Sequence, residues 1–429
     1  MKNEIVRCRC VDMSVEGQGI ARAGELVVFV KGLIKGEEAD VKIIAEKKNY
    51  AVGIIDKLIV PSEHRITSDC AIAYKCGGCD YRHIEYDHQL QLKKEVLVNT
   101  FKNCEVKDIT PCEERTYYRN KVQIPVRDHK MGFYRKYSND IVEFDDCLIE
   151  SKIANQIIAD MKKLLIGKPC EEKIRHIIVK HGKGSGEVMV AFIVKDMHID
   201  LSEALAYLKD HYPQITSIIM NLNDTDSNVI LGSDEKVLYG RDHIYDNYDG
   251  IKVKLSLKSF YQVNHEMMLR LYKRVSELAD LRKDSKVLDL YCGIGTISLY
   301  LSRHCGHVTG VEIVEAAVRN ARDNAEMNGF VNTDFILADA SKNMDEYLLD
   351  KDVVIVDPPR KGISKELISS FIGKRVKKII YVSCNPATLA RDLELLKDHY
   401  HISAIEPFDM FPYTIHSECL CVLDQKESS

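Results

Sequence analysis

The chain has 429 residues, 45% hydrophobic and 29% charged, with a formal net charge of −5. That length allows two or three domains, the balance is that of a globular protein, and no apolar run reaches membrane-spanning length or has a signal-peptide pattern. Fourteen cysteines in a chain expected to be cytoplasmic point to thiol chemistry and metal ligation rather than a disulfide framework.

Residues 1–60 alternate apolar and polar in short segments. Strands are predicted at 5–11, 17–21, 25–30, 38–46 and 50–59, which suggests a small OB-like β-barrel. Such barrels often bind nucleic acid, although the fold alone does not establish it. Cys8 and Cys10 are read as packing residues of the first strand. Pro61-Ser62 marks a boundary. Then comes Cys70-x5-Cys76-Gly77-Gly78-Cys79, with Cys147 as a distant fourth thiol. C-x2-C turns two thiolates toward one centre, and four thiolates suit either an iron–sulfur cluster or tetrahedral zinc. Between Arg115 and Lys136 there are seven Lys or Arg against one Asp, interleaved with Tyr117, Tyr118, Phe133 and Tyr134 and followed by Tyr137. A basic stripe carrying aromatics suits phosphate contact and base stacking; a solvated charged face is the plainer reading.

Helical periodicity covers 87–101 and 151–165. Segments 177–179 and 187–194 read as a hairpin, and further strands are predicted at 216–222, 228–231, 236–239 and 252–257. Residues 61–258 are therefore expected to form an α+β central domain. From 259 the pattern changes. Ser259-Phe260-Tyr261-Gln262-Val263-Asn264 leads into a helix over 266–279. Strands at 287–290, 308–311, 335–337, 353–356 and 378–382 then alternate with helices, and two last strands lie near 402–405 and 419–423. This is a doubly wound α/β domain over 259–429.

The stretch 286–300, KVLDLYCGIGTISLY, is the ligand-binding opening of such a domain: strand, glycine loop, helix. The loop has G-x-G but no third glycine, so a pyrophosphate fingerprint is incomplete. S-adenosylmethionine has no phosphate to cradle. Glu312 stands where it can accept from two ribose hydroxyls, and Asp289, Glu312 and Asp339 fall at successive strand ends. Asp357-Pro358-Pro359-Arg360 ends the next strand, where many methyltransferases hold a target base. Cys384 follows the strand after that and is a nucleophile candidate. Arg360 and the helix beginning near Pro386 are expected to raise its thiolate fraction. Glu418 precedes the last strand and could remove a proton. A thiol, a carboxylate and a methyl donor suit a pyrimidine carbon: thiolate addition to C6 makes C5 nucleophilic, and a base then takes the C5 proton. The target nucleotide must leave its stack.

Taken together, the four cysteines, Tyr118-Arg119-Asn120-Lys121, SFYQVN, DLYCGIGTISL, GVE, DPPR, SCNP and HSE resemble the RNA uracil-C5 methyltransferase family, close to its bacterial 23S ribosomal RNA 5-methyluridine enzymes. The first sixty residues resemble the TRAM barrel. The resemblance implies a class I, Rossmann-like methyltransferase domain and a [4Fe-4S] cluster on Cys70, Cys76, Cys79 and Cys147 rather than zinc. It implies S-adenosylmethionine contacts from Gln262, Tyr291, Glu312 and Asp339. It puts Asp357 at the donor and base site, with Cys384 as nucleophile and Glu418 as base. Tyr291 stands where family members commonly have Phe. Part of the segment after the cysteine cluster is expected to cross to the catalytic domain.

The implied substrate is 23S rRNA before or during large-subunit assembly, because the barrel and cluster accompany the ribosomal enzymes. A monomer with no membrane association is expected. The alternatives are a transfer-RNA uracil-C5 enzyme, an exocyclic amino or cytosine-C5 methyltransferase, and a non-catalytic rRNA-binding assembly factor.

Overall fold

The computed structural model describes residues 2–136, 138–225 and 227–427; Tyr137, the last aromatic of the basic stripe, lies outside the described residues. Alternating burial builds the N-terminal module. β1 (Ile5–Met13), β2 (Gln18–Ala23), β3 (Leu26–Lys31), β4 (Glu38–Glu46) and β5 (Ala51–Val60) close into a barrel in the order β1-β2-β3-β5-β4. Cys8 and Cys10 are buried in its core with Val28, Val30 and Val41, so these thiols pack as expected. Gly53 is required there, because a Cβ would stand 2.2 Å from Val41 Cγ1. Tyr81, Ile84 and Leu92, all beyond the cysteine motif, join the same core.

The middle region contains α1 (Tyr86–Thr100), β6 (Lys121–Arg127), β7 (Lys130–Met131), β8 (Phe133–Tyr134), β9 (Ile141–Val142), α2 (Lys152–Leu165), β10 (Ile174–His181), β11 (Val188–Val194), α3 (Ser202–His211), β12 (Ile215–Leu222) and β13 (Glu235–Gly240). Its sheet runs β13-β12-β11-β10-β6-β7. Every residue of β11 is buried, as a continuous apolar run in a central strand should be. Ser151 caps α2 by accepting from Ala154 N at 3.4 Å. The strand expected at 228–231 does not form. Asn223 Nδ2 donates to the carbonyls of Val229 (2.8 Å) and Ile230 (3.0 Å), and Asn221 Nδ2 to that of Gly232 (3.1 Å). Side-chain amides thus take acceptors a neighbouring strand would need.

The last region holds β14 (His243–Tyr248), β15 (Ile251–Ser256), α4 (His265–Ala279), β16 (Lys286–Leu290), α5 (Thr296–Ser302), β17 (His307–Glu312), α6 (Glu315–Met327), β18 (Thr333–Leu337), α7 (Asp345–Leu348), β19 (Val353–Val356), α8 (Lys365–Lys374), β20 (Lys378–Ser383), α9 (Pro386–Leu396), β21 (Tyr400–Ile402), β22 (Glu406–Phe408) and β23 (Glu418–Gln425). The sheet order is β18-β17-β16-β19-β20-β23-β21, with β22 also on β23. Strands β16 to β20 run parallel, and β23 is antiparallel to β20. The single strand expected over 402–405 is split into β21 and β22.

The core of this sheet reaches back beyond residue 259. On one face Tyr248, Ile251 and Val253 pack with Met267 and Leu271 of α4 and with Val287 and Val308. On the other, Leu97, Phe101, Val106 and Ile109 pack with Leu288, Val354 and Tyr381. Residues 106 and 110 even bridge Ile405 and Phe408. The segment after the cysteine motif therefore crosses to the doubly wound sheet. Among the described residues no helix is long and apolar enough to cross a membrane.

Candidate active site

Strand β16 delivers the chain into a loop of unusual backbone. Tyr291 is left-handed at φ 65°, and Gly293 and Gly295 have φ 56° and 83°. A Cβ at Gly295 would lie 2.9 Å from the Phe335 ring, whereas at Gly293 nothing stands within 4 Å. Gly295 serves packing; Gly293 leaves the loop open to close approach. Glu312 holds the loop to the end of β17: one carboxylate oxygen accepts from Gly293 N at 3.1 Å, the other from Ile313 N and Val314 N, both at 2.8 Å. Asp339, after β18, accepts from Ser341 N (3.0 Å) and Ser341 Oγ (2.6 Å), and these bonds lower its pKa. The Tyr291 phenol is pushed up to about 12, by burial first and then by the charge of Asp339.

Asp289 is buried below the loop. Its Oδ2 accepts from Ser298 Oγ at 2.5 Å, and its Oδ1 has no partner. Burial raises its pKa to about 7; the Ser298 bond opposes this, and Asp357 and Glu312 add to it. Gln262 comes from outside the sheet. It is buried on the loop before α4, its carbonyl accepts from Asn120 Nδ2 at 2.9 Å, and Asn120 N donates to Val263 O at 2.9 Å. Asn320 of α6 bonds the same loop through Ser259 Oγ at 3.0 Å.

The antiparallel pairing of β23 with β20 sets Ser383 opposite Cys419. Cys384 and Glu418 lie next to that pair, at the carboxyl edge of the parallel strands, near enough for the charge of Glu418 to act on the thiol. The Arg360 carbonyl accepts from Asn385 Nδ2 at 2.8 Å, which ties the loop after β19 to the loop after β20. Asn385 also caps α9, accepting from Ala387 N at 3.2 Å. The expectation of an activated thiol is not met in this state. Burial pushes Cys384 up to about 11, Glu418 and Asp357 add to the rise, and Arg360 only partly opposes them. Glu418 is itself buried, with Oε1 unpartnered, and is raised well above the carboxylate range by burial and by Asp357. Asp357 is raised to about 7 by burial. The edge thus gathers the buried carboxyl groups of Asp289 and Glu418, the half-buried one of Asp357 and a thiol whose charging an incoming cation would favour.

A second constellation lies against the barrel. Cys70, Cys76, Cys79 and Cys147 all line one cavity of about 210 Å³, with Arg82 and Arg119. All four are free thiols. Burial pushes Cys76, Cys79 and Cys147 up, and each feels the charge of other thiols in the set. Holding them all as thiolates needs a cationic centre. Among the described residues no three His, Cys, Asp or Glu are grouped to hold a single ion. The four thiols therefore share one cavity without converging on a single point.

The basic stripe is largely committed to structure. Arg119 pairs with buried Glu150 at 3.2 Å, Arg115 lies 4.1 Å over the Tyr86 ring, and Lys136 pairs with Asp80. Lys121 sits in β6, where burial lowers its pKa. Tyr134, Arg135, Arg127 and Lys130 remain exposed. One group had no sequence signal at all: Lys93 reads as an ordinary helix lysine, yet it is buried against the segment before Glu418.

Comparison with known proteins agrees with this geometry. A family model described as tRNA (Uracil-5-)-methyltransferase matches residues 85–426, and a TRAM domain model matches 11–55. A protein described as an uncharacterized RNA methyltransferase of Halalkalibacterium halodurans is 36% identical, covering 99% of this chain and 98% of that one. One from Oceanobacillus iheyensis is 37% identical, covering 100% and 98%. The crystal structure of Pyrococcus abyssi tRNA (uracil-54, C5)-methyltransferase in complex with S-adenosyl-L-homocysteine superposes with a TM-score of 0.80 at 29% identity, covering 97% of this chain and 99% of that one.

Proposed function

The chain belongs to the tRNA (uracil-5-)-methyltransferase family, and on that basis we propose that this S-adenosylmethionine-dependent RNA (uracil-C5)-methyltransferase acts on a uridine of 23S ribosomal RNA, before or during large-subunit assembly, through a covalent bond from Cys384 to C6. The donor supplies an electrophilic methyl group on a sulfonium. Tyr291, Glu312, Gln262 and Asp339 would hold it beside the open backbone of Gly293, and Asp357 would lie at the donor and target-base site. The Cys384 thiolate adds to C6 and pushes the C5=C6 electron pair toward O4. C5 is then nucleophilic and takes the methyl group as the S–CH3 bond breaks, its electron pair staying on the sulfur of S-adenosylhomocysteine. Glu418 accepts the C5 proton, the double bond re-forms, and the cysteine leaves as thiolate. The observation that carries this reading is that Cys384 and Glu418 adjoin the Ser383–Cys419 pair of β20 and β23 and that the charge of Glu418 acts on the Cys384 thiol.

Cys70, Cys76, Cys79 and Cys147 would hold a [4Fe-4S] cluster, which supplies a covalent link between residues 70–79 and 147. The chain works as a cytoplasmic monomer of three modules, 1–60, 61–258 and 259–429, the last completed by the helix and hairpin that pack on its sheet. Transfer RNA is the second reading, and the Pyrococcus abyssi enzyme favours it. That match covers 97% of this chain, so an N-terminal barrel does not by itself mark a ribosomal target. The test is to delete the gene and map 5-methyluridine in both RNA pools. Loss from 23S rRNA alone is expected. Loss from transfer RNA with intact ribosomal sites selects the second reading, and no loss from either defeats both.

A further inference from the structure

Among the described residues, Oε1 of Glu418 is buried and has no hydrogen bond of the kind that normally aims a proton acceptor. Its aim therefore depends on the backbone that delivers it. That backbone is the strap from Asp409 to Ser417, between β22 and β23. Elements distant in sequence grip it. Asp80 N and Tyr81 N both donate to Tyr413 O, at 2.9 and 3.0 Å, and Tyr118 Oη donates to Pro412 O at 3.2 Å. Tyr413 is held at φ 67°, a left-handed conformation that a tyrosine keeps only when its surroundings impose it.

The grip at the two ends of the strap comes from one side chain. Lys93 of α1 is 1% exposed, as is Asp409. Its ammonium donates to Asp409 Oδ1 at 2.5 Å, to Phe411 O at 3.3 Å and to His416 O at 3.1 Å. An ammonium has three protons, and all three have acceptors on this strap. Residues 411 and 416 are thus drawn onto one point, two residues before Glu418. Tyr86 Oη donates to the other oxygen of Asp409 at 2.7 Å and accepts from Cys112 N at 2.8 Å, so the centre is fully bonded. A buried ion pair is a poor source of stability compared with apolar residues of the same volume; a role in fixing one geometry is the better account of it.

We propose that Lys93 is a positioning residue for the methyl-transfer reaction, which clamps the 409–417 strap and so aims the Glu418 carboxylate at the C5 proton. This rests on the assignment of Cys384 and Glu418 made above. The clamp acts only after methyl transfer, so its loss should slow release of the RNA from Cys384 and leave ligand binding alone.

The variant that tests it is the double substitution Lys93→Met with Asp409→Asn. Lys93→Met alone would strand a buried carboxylate and could unfold the protein; the pair removes both charges, and the amide oxygen that replaces a carboxylate oxygen of Asp409 can still accept from Tyr86. RNA from a strain lacking the gene and tritiated S-adenosylmethionine serve as substrates, beside Glu418→Gln. The expected result is kcat down about 10- to 100-fold, the range that misplacing a catalytic group produces. Because the slowed step follows methyl transfer, KM should fall with kcat so that kcat/KM stays within about twofold, and a methylated protein–RNA adduct should survive denaturing electrophoresis, as with Glu418→Gln. Parental turnover without adduct, while Glu418→Gln does form one, overturns the clamp alone. Loss of S-adenosylhomocysteine and RNA binding with no adduct also overturns it, because it makes Lys93 merely structural. Absence of adduct from Glu418→Gln overturns the base assignment, and the clamp with it.

Discussion

Cys384 should be a reluctant thiol until the methyl donor arrives. Burial, Glu418 and Asp357 together move its pKa from an ordinary 9.0 to about 11. Two units mean about 100-fold less thiolate at any pH well below 9. The more basic thiolate is about sixfold more nucleophilic at a Brønsted slope near 0.4, so the net handicap is about 15-fold. The assay is iodoacetamide alkylation of the substrate-free protein, with Cys384 read by peptide mass spectrometry among the other accessible thiols. The rate should climb about tenfold per pH unit and level off only near pH 11. The donor should change this, since a sulfonium is a cation and the neighbouring charges are carboxylates. A unit charge about 8 Å away in an effective dielectric of about 20 contributes about 2 kcal/mol, or about 1.5 pH units. S-adenosylmethionine should then raise the thiolate fraction about 30-fold and, after the same Brønsted correction, accelerate alkylation about eightfold relative to S-adenosylhomocysteine, which is neutral at sulfur and blocks access equally. A plateau at or below about pH 9, or equal rates with the two ligands, would refute the reasoning.

Three further outcomes are expected. Cys384→Ala should abolish methyl transfer while calorimetry shows S-adenosylhomocysteine bound as tightly as by the parent; substantial turnover would remove the nucleophile assignment. Protein purified without oxygen should be brown and contain iron and sulfide, with broad absorbance near about 400 nm; stoichiometric zinc without iron would overturn the cluster. Asp357→Asn should change the pH dependence of the substrate-free Tm. The folded pKa of Asp357 is raised to about 7, above its unfolded value, so its contribution is fully present below the unfolded pKa and is lost as pH rises toward 7. The variant's Tm relative to the parent should therefore increase from about pH 4 to about pH 7 and stay level above; a difference independent of pH would show that the carboxyl is not held neutral.

Much of the fold was legible because it is local. The five barrel strands announce themselves by alternation and turns, and all five form near the expected bounds. The strand, glycine loop and helix at 286–302 are likewise fixed by residues adjacent in sequence, and so is the cap that Asn385 gives α9. Where prediction failed, side chains from elsewhere intervened. Asn221 and Asn223 take the carbonyls of residues 229, 230 and 232, so an apolar run that looks like a strand has no ladder to join.

Sequence sufficed to put Cys384 and the three carboxylates Asp289, Glu312 and Asp357 at the carboxyl ends of parallel strands, because a strand pattern followed by a turn fixes which end carries the ligand. The remaining features came from packing. That β23 pairs antiparallel to β20, and so brings Glu418 near Cys384, is a choice of strand order that no periodicity encodes. The basic stripe reads as a nucleic-acid face, but Arg119 is spent on Glu150 and Lys121 lies in a buried strand. Lys93 looks solvated until α1 lays it against Asp409, more than three hundred residues away in the chain. Charge and periodicity are properties of neighbours in sequence, whereas a pKa, an ion pair or a clamped strap depends on what burial brings alongside.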